Sequence, residues 1–165
     1  MNVKTPARFE DGLGYLAHHL MYAFRQKLAC RCSEQGYNLT SDECGVLMLL
    51  MQGDARGSGL THGQMAETLA KDKAALTRLV NSLHQQGLVD RNADARDRRI
   101  MRVRLTDKGR EAGVRLRGII EQLHRQVFVG IEQDEFDACR DVLGRVLTNI
   151  SAMQTDEPAS RNPRG

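Results

Sequence analysis

The sequence predicts a mainly α fold with an α+β centre: six helices and a single two-stranded β hairpin. Three observations lead there. Apolar residues recur at helical spacing over most of the chain, while strict alternation is confined to one stretch, Met101 to Leu105. Aromatic residues make up only 4% with no Trp, which implies an interior of Leu, Val, Ile and Met. The 165 residues suit one integrated domain with a sizeable core.

From the N-terminus, Leu13, Leu16, Leu20, Ala23, Phe24 and Leu28 trace an amphipathic first helix. Thr40 and Glu43 have capping-box spacing for a second, which carries Val46, Leu47, Leu49 and Leu50 until Gly53 to Gly59 breaks it. Thr61 with Gln64 opens a third in the same way, with Met65, Ala66 and Leu69 on one face. Asp72 is the expected N-cap of a fourth, whose Leu76, Leu79, Val80 and Leu83 repeat at helical spacing before Gly87 ends it. Only Ala70 and Lys71 separate Leu69 from Asp72, so these two helices must turn sharply against each other, as in a helix-turn-helix. Lys73, Ala74, Ala75, Thr77, Arg78 and Asn81 occupy the faces that the apolar stripe leaves free, where a recognition helix meets the major groove.

After Gly87, Leu88 to Arg91 reads as a short strand, and Met101, Val103 and Leu105 alternate with Arg102 and Arg104 as a second with one apolar and one basic face. The loop between them, Asn92 to Arg99, is too charged to be buried. Arg91, Arg96, Arg98, Arg99, Arg102 and Arg104 are opposed only by Asp90, Asp94 and Asp97. Arginine enters narrow minor grooves and forks onto phosphate, so the hairpin is read as a wing and double-stranded DNA as the partner. The formal charge of +3 is modest, and the positive charge is local, which suits a protein that must release nonspecific DNA.

Two segments carry a resemblance. Met65 to Val80 followed by Gly87-Leu88-Val89 is similar to the helix-turn-helix of the MarR (multiple antibiotic resistance regulator) transcription factors. Asp97-Arg98-Arg99, five residues and then Leu105-Thr106 resembles that family's wing signature, D-x-R-x-x-x-x-x-L-T. The resemblance implies that Arg99 enters the minor groove, that Asp97 orients it by ion pairing, and that Thr77 and Arg78 contact DNA from the recognition helix; Arg96 and Arg98 join them in the expected DNA-binding set. Where the family often has Ser or Thr this chain has Ala74 and Ala75, so base reading there would rest on thymine methyls or on DNA shape.

Beyond Thr106, a further expected cap, Leu116, Ile119, Ile120, Leu123 and Val127 trace a long fifth helix. Phe136, Cys139, Leu143, Val146, Leu147 and Ile150 trace a sixth with near-heptad spacing. The terminal helices offer more apolar face than a small winged module covers. A two-fold homodimer would bury the excess and set two recognition helices about 34 Å apart on a pseudo-palindromic site. The expected division is residues 1–35 and 106–153 for dimerisation, 36–105 for the winged helix-turn-helix, and 154–165 as a disordered tail with Pro158 and Pro163.

The resemblance also implies a pocket between the dimerisation helices and the winged module, where a small phenolic or anionic effector releases a repressor from its operator. Met21, Tyr22, Arg25, Met48 and Met51 are the candidate lining, because thioethers adapt to varied ligands and Arg25 can pair with a carboxylate. A thiol-based redox regulator is the alternative: Cys30 and Cys32 lie near Arg25, Lys27 and Arg31, a setting that lowers thiol pKa, whereas Cys44 and Cys139 read as small apolar packing. A winged helix turned protein-interaction module, no longer binding DNA, is a second; a basic wing argues against it. No catalytic motif, metal-ligand spacing or cofactor fingerprint is found, so no enzyme, metal or cofactor is expected. The start Met1-Asn2-Val3-Lys4-Thr5-Pro6 has no signal-peptide character and no run reaches membrane-spanning length, so a cytoplasmic protein without membrane contact is expected.

Overall fold

The computed structural model describes residues 4, 6–53, 59–94 and 97–155. A 3-10 turn at Phe9–Asp11 leads into α1 (Leu13–Glu34) and α2 (Ser41–Gly53). Then follow β1 (Leu60–Thr61), α3 (His62–Thr68), α4 (Lys73–Gln85), β2 (Val89–Ala93), β3 (Met101–Leu105), α5 (Asp107–Val127) and α6 (Gln133–Thr155).

Local hydrogen bonds set most of these boundaries. At α2 the Thr40 amide donates to Glu43 Oε2 at 2.7 Å while the Glu43 amide donates to Thr40 Oγ1 at 3.2 Å, a reciprocal capping box. Thr61 and Gln64 repeat it at α3. Asp72 Oδ1 accepts from the Ala75 amide at 2.7 Å to start α4. Gly87, at φ 70°, closes α4 in the left-handed conformation. The carbonyls beyond that end are also satisfied: Thr106 Oγ1 donates to Gly87 O at 2.7 Å and Lys108 Nζ to Gln86 O at 2.8 Å, which fixes the start of α5 against the end of α4.

The hairpin belongs to a three-stranded antiparallel sheet of order β1-β3-β2, not to a two-stranded one. Leu60 pairs with Val103 and Thr61 with Arg102, so the two residues entering α3 cover the outer edge of β3. Across the hairpin, Val89 pairs with Leu105 and Ala93 with Met101. Val89, Val103 and Leu105 are buried, whereas Met101, at the tip end of the apolar face, is exposed.

Residues up to His124 form one compact unit and those from Arg125 another. The first holds the core, in which Leu47 and Leu50 of α2, Met65 of α3, Leu76, Val80 and Leu83 of α4, and Leu116 of α5 are fully buried. Toward its N-terminus α1 leaves Leu13, Leu16 and Leu20 at least half exposed, while Leu28 is buried. In the second unit Phe128 and Phe136 meet edge to face at 5.0 Å, and α6 exposes Val142, Leu147, Ile150 and Met153. Cys139, expected to pack as a small apolar residue, is exposed. The expected disordered tail lies, from residue 156 onward, outside the described residues.

Candidate nucleic-acid interface and effector hollow

The turn between α3 and α4 is built on backbone geometry. Ala70 adopts φ 49°, and the Lys71 amide reaches back to Ala66 O at 3.0 Å, so the chain reverses within two residues. Asp72 then receives the first amides of α4. The Ala75 hydrogen bond, helped by Ala74, Arg78 and Lys71, holds its carboxyl below the ordinary value. With Leu76, Val80 and Leu83 buried, α4 presents Lys73, Ala74, Thr77, Arg78 and Asn81 to solvent, and Ala75 is half-buried. The Thr77 hydroxyl donates to Lys73 O at 2.8 Å, which leaves its oxygen facing outward as an acceptor.

The hairpin divides its arginines between two tasks. Arg102 pairs with Asp94 and donates through Nη1 to Gly59 O at 3.2 Å, locking β3 to the residue before β1. Arg91 donates to Asn81 Oδ1, so Asn81, expected at the groove, ties β2 to α4. Arg104 lies half-buried with its stem against Gly59, where a Cβ would come within 2.6 Å of it. Arg98 and Arg99 stand exposed at the tip. Arg96 lies outside the described residues. Asp97 does hold Arg99, but through the backbone: Asp97 Oδ1 accepts the Arg99 amide at 2.9 Å, and among the described residues no ion pair joins the two side chains. The two residues share a tight turn in which that carboxylate is committed to the main chain. His62, half-buried at the start of α3, has its pKa pushed down by burial and by the charge of Arg91.

Behind the helix-turn-helix lies a hollow of about 360 Å³. Met21 and Arg25 of α1 and Met48 of α2 line it, as expected, together with Phe24, Asp42, Leu69 and Lys71. Tyr22 instead lines a neighbouring hollow of about 420 Å³ with His18, and Met51 packs against Gly113 of α5. Asp42 and Lys71 were not legible in the sequence as lining of this hollow. One reads as an ordinary acid in a first helical turn, the other as a turn residue, and only packing brings them together at 3.0 Å.

Cys32 departs from the setting expected of a reactive thiol. Cys32 is fully buried, 3.7 Å from the equally buried Cys44, and burial raises both thiol pKa values. The basic residues near Cys32 in sequence do not set its environment. Cys30 is exposed, with its thiol 3.5 Å from Glu34 Oε1. Among the described residues, no three His, Cys, Asp or Glu side chains cluster as a metal site, and no helix is long and apolar enough to cross a membrane.

Residues 37–100, from the end of α1 to the wing tip, match the sequence profile of the MarR family. The centre of the chain, from α2 to the wing, is thus similar to the MarR family. Solved structures agree over nearly the whole fold. A MarR-family transcriptional regulator from Silicibacter pomeroyi is 28% identical with a TM-score of 0.67, the match covering 88% of this chain and 97% of that one. The PcaV transcriptional regulator from Streptomyces coelicolor, solved with its natural ligand, is 25% identical at TM-score 0.73, over 88% and 98%. MepR from S. aureus, solved as a DNA complex, is 19% identical at TM-score 0.76, over 84% and 98%. The chain thus shares the fold of these regulators, with six α helices and a three-stranded sheet among the described residues.

Proposed function

We propose that the protein is a homodimeric, sequence-specific DNA-binding transcriptional regulator, a repressor that leaves a pseudo-palindromic operator when a small phenolic or anionic effector occupies the hollow behind the helix-turn-helix. The observation that carries this reading is the pairing of two solvent-facing cationic elements in one compact unit. The face of α4 with Lys73, Thr77 and Arg78 is tied through Asn81 and Arg91 to the hairpin that ends in Arg98 and Arg99. On this reading Lys73, Thr77 and Arg78 serve the major groove, with Ala74 and Ala75 against thymine methyls, and Arg99 serves the minor groove with Asp97 fixing its backbone.

The apolar residues exposed on α1 and on α6 support a second copy of the chain as their cover, and two-fold pairing matches an inverted-repeat site. PcaV, solved with its natural ligand, gives the same fold a ligand-bound precedent. An effector acts only through different affinities for the DNA-compatible and DNA-incompatible states.

Selection of bound sequences from a random duplex pool, with affinity followed against salt, tests the reading, and sedimentation gives the assembly state. A repeatable inverted repeat is expected, and Arg99→Ala should weaken binding to it by about 1–3 kcal/mol per half-site. Unchanged affinity in an Arg78→Ala, Arg99→Ala double variant would refute the DNA-binding assignment.

A further inference from the structure

Arg91 of β2 occupies a place that the stability of the fold does not account for. It pairs with Val103 across the sheet, so its side chain leaves the hairpin on the face that carries the buried Val89 and Val103. Two residues further out on that face, Ala93 and Met101 are exposed. Arg91 is half-buried, the last residue of this face with any cover, and the tip with Arg98 and Arg99 projects beyond it. Its guanidinium donates to Asn81 Oδ1 of α4. Asn81 follows Lys73 and Thr77 at four-residue spacing, so the bond is made to the stripe of α4 that faces solvent. A hydrogen bond to an exposed amide adds little stability, while Arg91 Nε is shielded from water with no hydrogen-bond partner among the described residues. A polar group buried at a cost to the fold calls for a use outside it.

We propose that Asn81 and Arg91 form a strut that sets the angle between the wing and α4, so that both are positioning residues and neither is a DNA contact. The proposal rests on the DNA-binding reading above and moves Asn81, expected at the groove, to alignment. Arg99 stands two residues beyond Met101, whose partner Ala93 stands two beyond Arg91. At about 3.3 Å per residue the tip arginine therefore lies up to about 13 Å from the strut. Over that reach a tilt of about 10° moves the tip by about 2 Å, about a third of the width of a minor groove. Arg99 and the face of α4 can meet adjacent grooves together only while the angle is held. Breaking the strut thus takes from Arg99 what deleting Arg99 takes, although the strut itself never touches DNA.

Full-length wild type, Asn81→Ala, Arg91→Met, the two combined, and each of these with Arg99→Ala are titrated with the duplex that the wild type selects from a random pool. Asn81→Ala and Arg91→Met should each weaken binding several-fold and to the same extent, and their combination should be no weaker than either. Arg99→Ala should cost the wild type several-fold more affinity than it costs a strut variant. Both single strut variants should melt within about 2–4 °C of wild type, which a residue that merely supports the fold would not allow. If Arg91→Met melts well below that, Asn81→Ala decides, since its position on α4 is exposed. An undiminished Arg99→Ala penalty in Asn81→Ala would overturn the proposal. So would relaxed preference at one base pair in Asn81→Ala alone, the mark of a base reader, or a salt slope lower by about one in Arg91→Met alone, the mark of a phosphate contact. Failure of the wild type to select any duplex would overturn the DNA-binding reading itself, and the strut with it.

Discussion

Three glycines on α5 make one helix its own control. At Gly109 an added Cβ would lie 1.9 Å from Leu88 O and 3.3 Å from a Leu105 methyl. A carbon and a carbonyl oxygen meet comfortably no closer than about 3.3 Å, so the shortfall is about 1.4 Å. The carbonyl is not free to swing away, because it accepts the Thr106 amide at 3.1 Å where the chain enters α5. At Gly118, by contrast, nothing lies within 4 Å of the new methyl. Glycine to alanine in a helix interior gains about 1 kcal/mol from propensity. At Gly109 that gain meets an overpacking cost of about 1–3 kcal/mol and the loss of a hydrogen bond at about 1 kcal/mol, for a net destabilisation of about 1–3 kcal/mol.

With about 2–4 °C of melting temperature per kcal/mol for a chain of this size, Gly109→Ala should melt roughly 2–12 °C lower and Gly118→Ala roughly 2–4 °C higher than wild type. Gly113→Ala should fall between them, since its neighbour is the flexible Met51 thioether at 2.6 Å. Calorimetric melts of the three variants under one condition make the comparison. A Gly109→Ala protein as stable as wild type would refute the claim that α5 is seated directly on the backbone leading into β2.

Two other expectations concern titratable groups. The unfolded chain takes a proton on His62 near its ordinary pKa of 6.5, whereas burial and Arg91 make the folded protein resist it. The group therefore leaves stability unchanged well above that pH and removes it as pH falls below 6.5, until folded His62 also protonates. Proton NMR titration of the ring should find the low pKa, and Arg91→Met should raise it; a pKa indifferent to that change would remove Arg91 as a cause. Burial also keeps the Cys32 and Cys44 thiols protonated at neutral pH. Iodoacetamide followed by mass spectrometry should therefore modify the exposed Cys30 and Cys139 in the folded protein, and Cys32 and Cys44 only after unfolding. Rapid labelling of Cys32 would restore the redox reading.

What the sequence disclosed was largely what neighbours in the chain decide. The caps at Thr40, Thr61, Asp72, Gly87 and Thr106 depend on residues within a turn, and each is in place. β1 escaped notice because two residues carry no periodicity, and its partner strand lies far along the chain. The arginines of the hairpin look alike in sequence; Asp94, Gly59 and Asn81 decide which of them are structural. Cys32 was misread for the same reason, since its nearest thiol comes from another helix. Met21, Arg25 and Met48 line the hollow and stand out in the sequence by their chemistry, while Asp42 and Lys71 meet there only through packing.

The division of labour among those arginines also bears on how salt would govern any DNA complex. Counterions are released only by cations that neutralise phosphates. Arg91 and Arg102 are occupied within the hairpin, and Arg104 is half-buried beside Gly59. Among the described Lys and Arg residues of α4 and the hairpin, Lys73 and Arg78 on α4 and Arg98 and Arg99 at the tip remain to displace ions. The ionic-strength dependence of binding should therefore be shallower than a tally of basic residues implies, with a larger share of the free energy left to groove shape and fit.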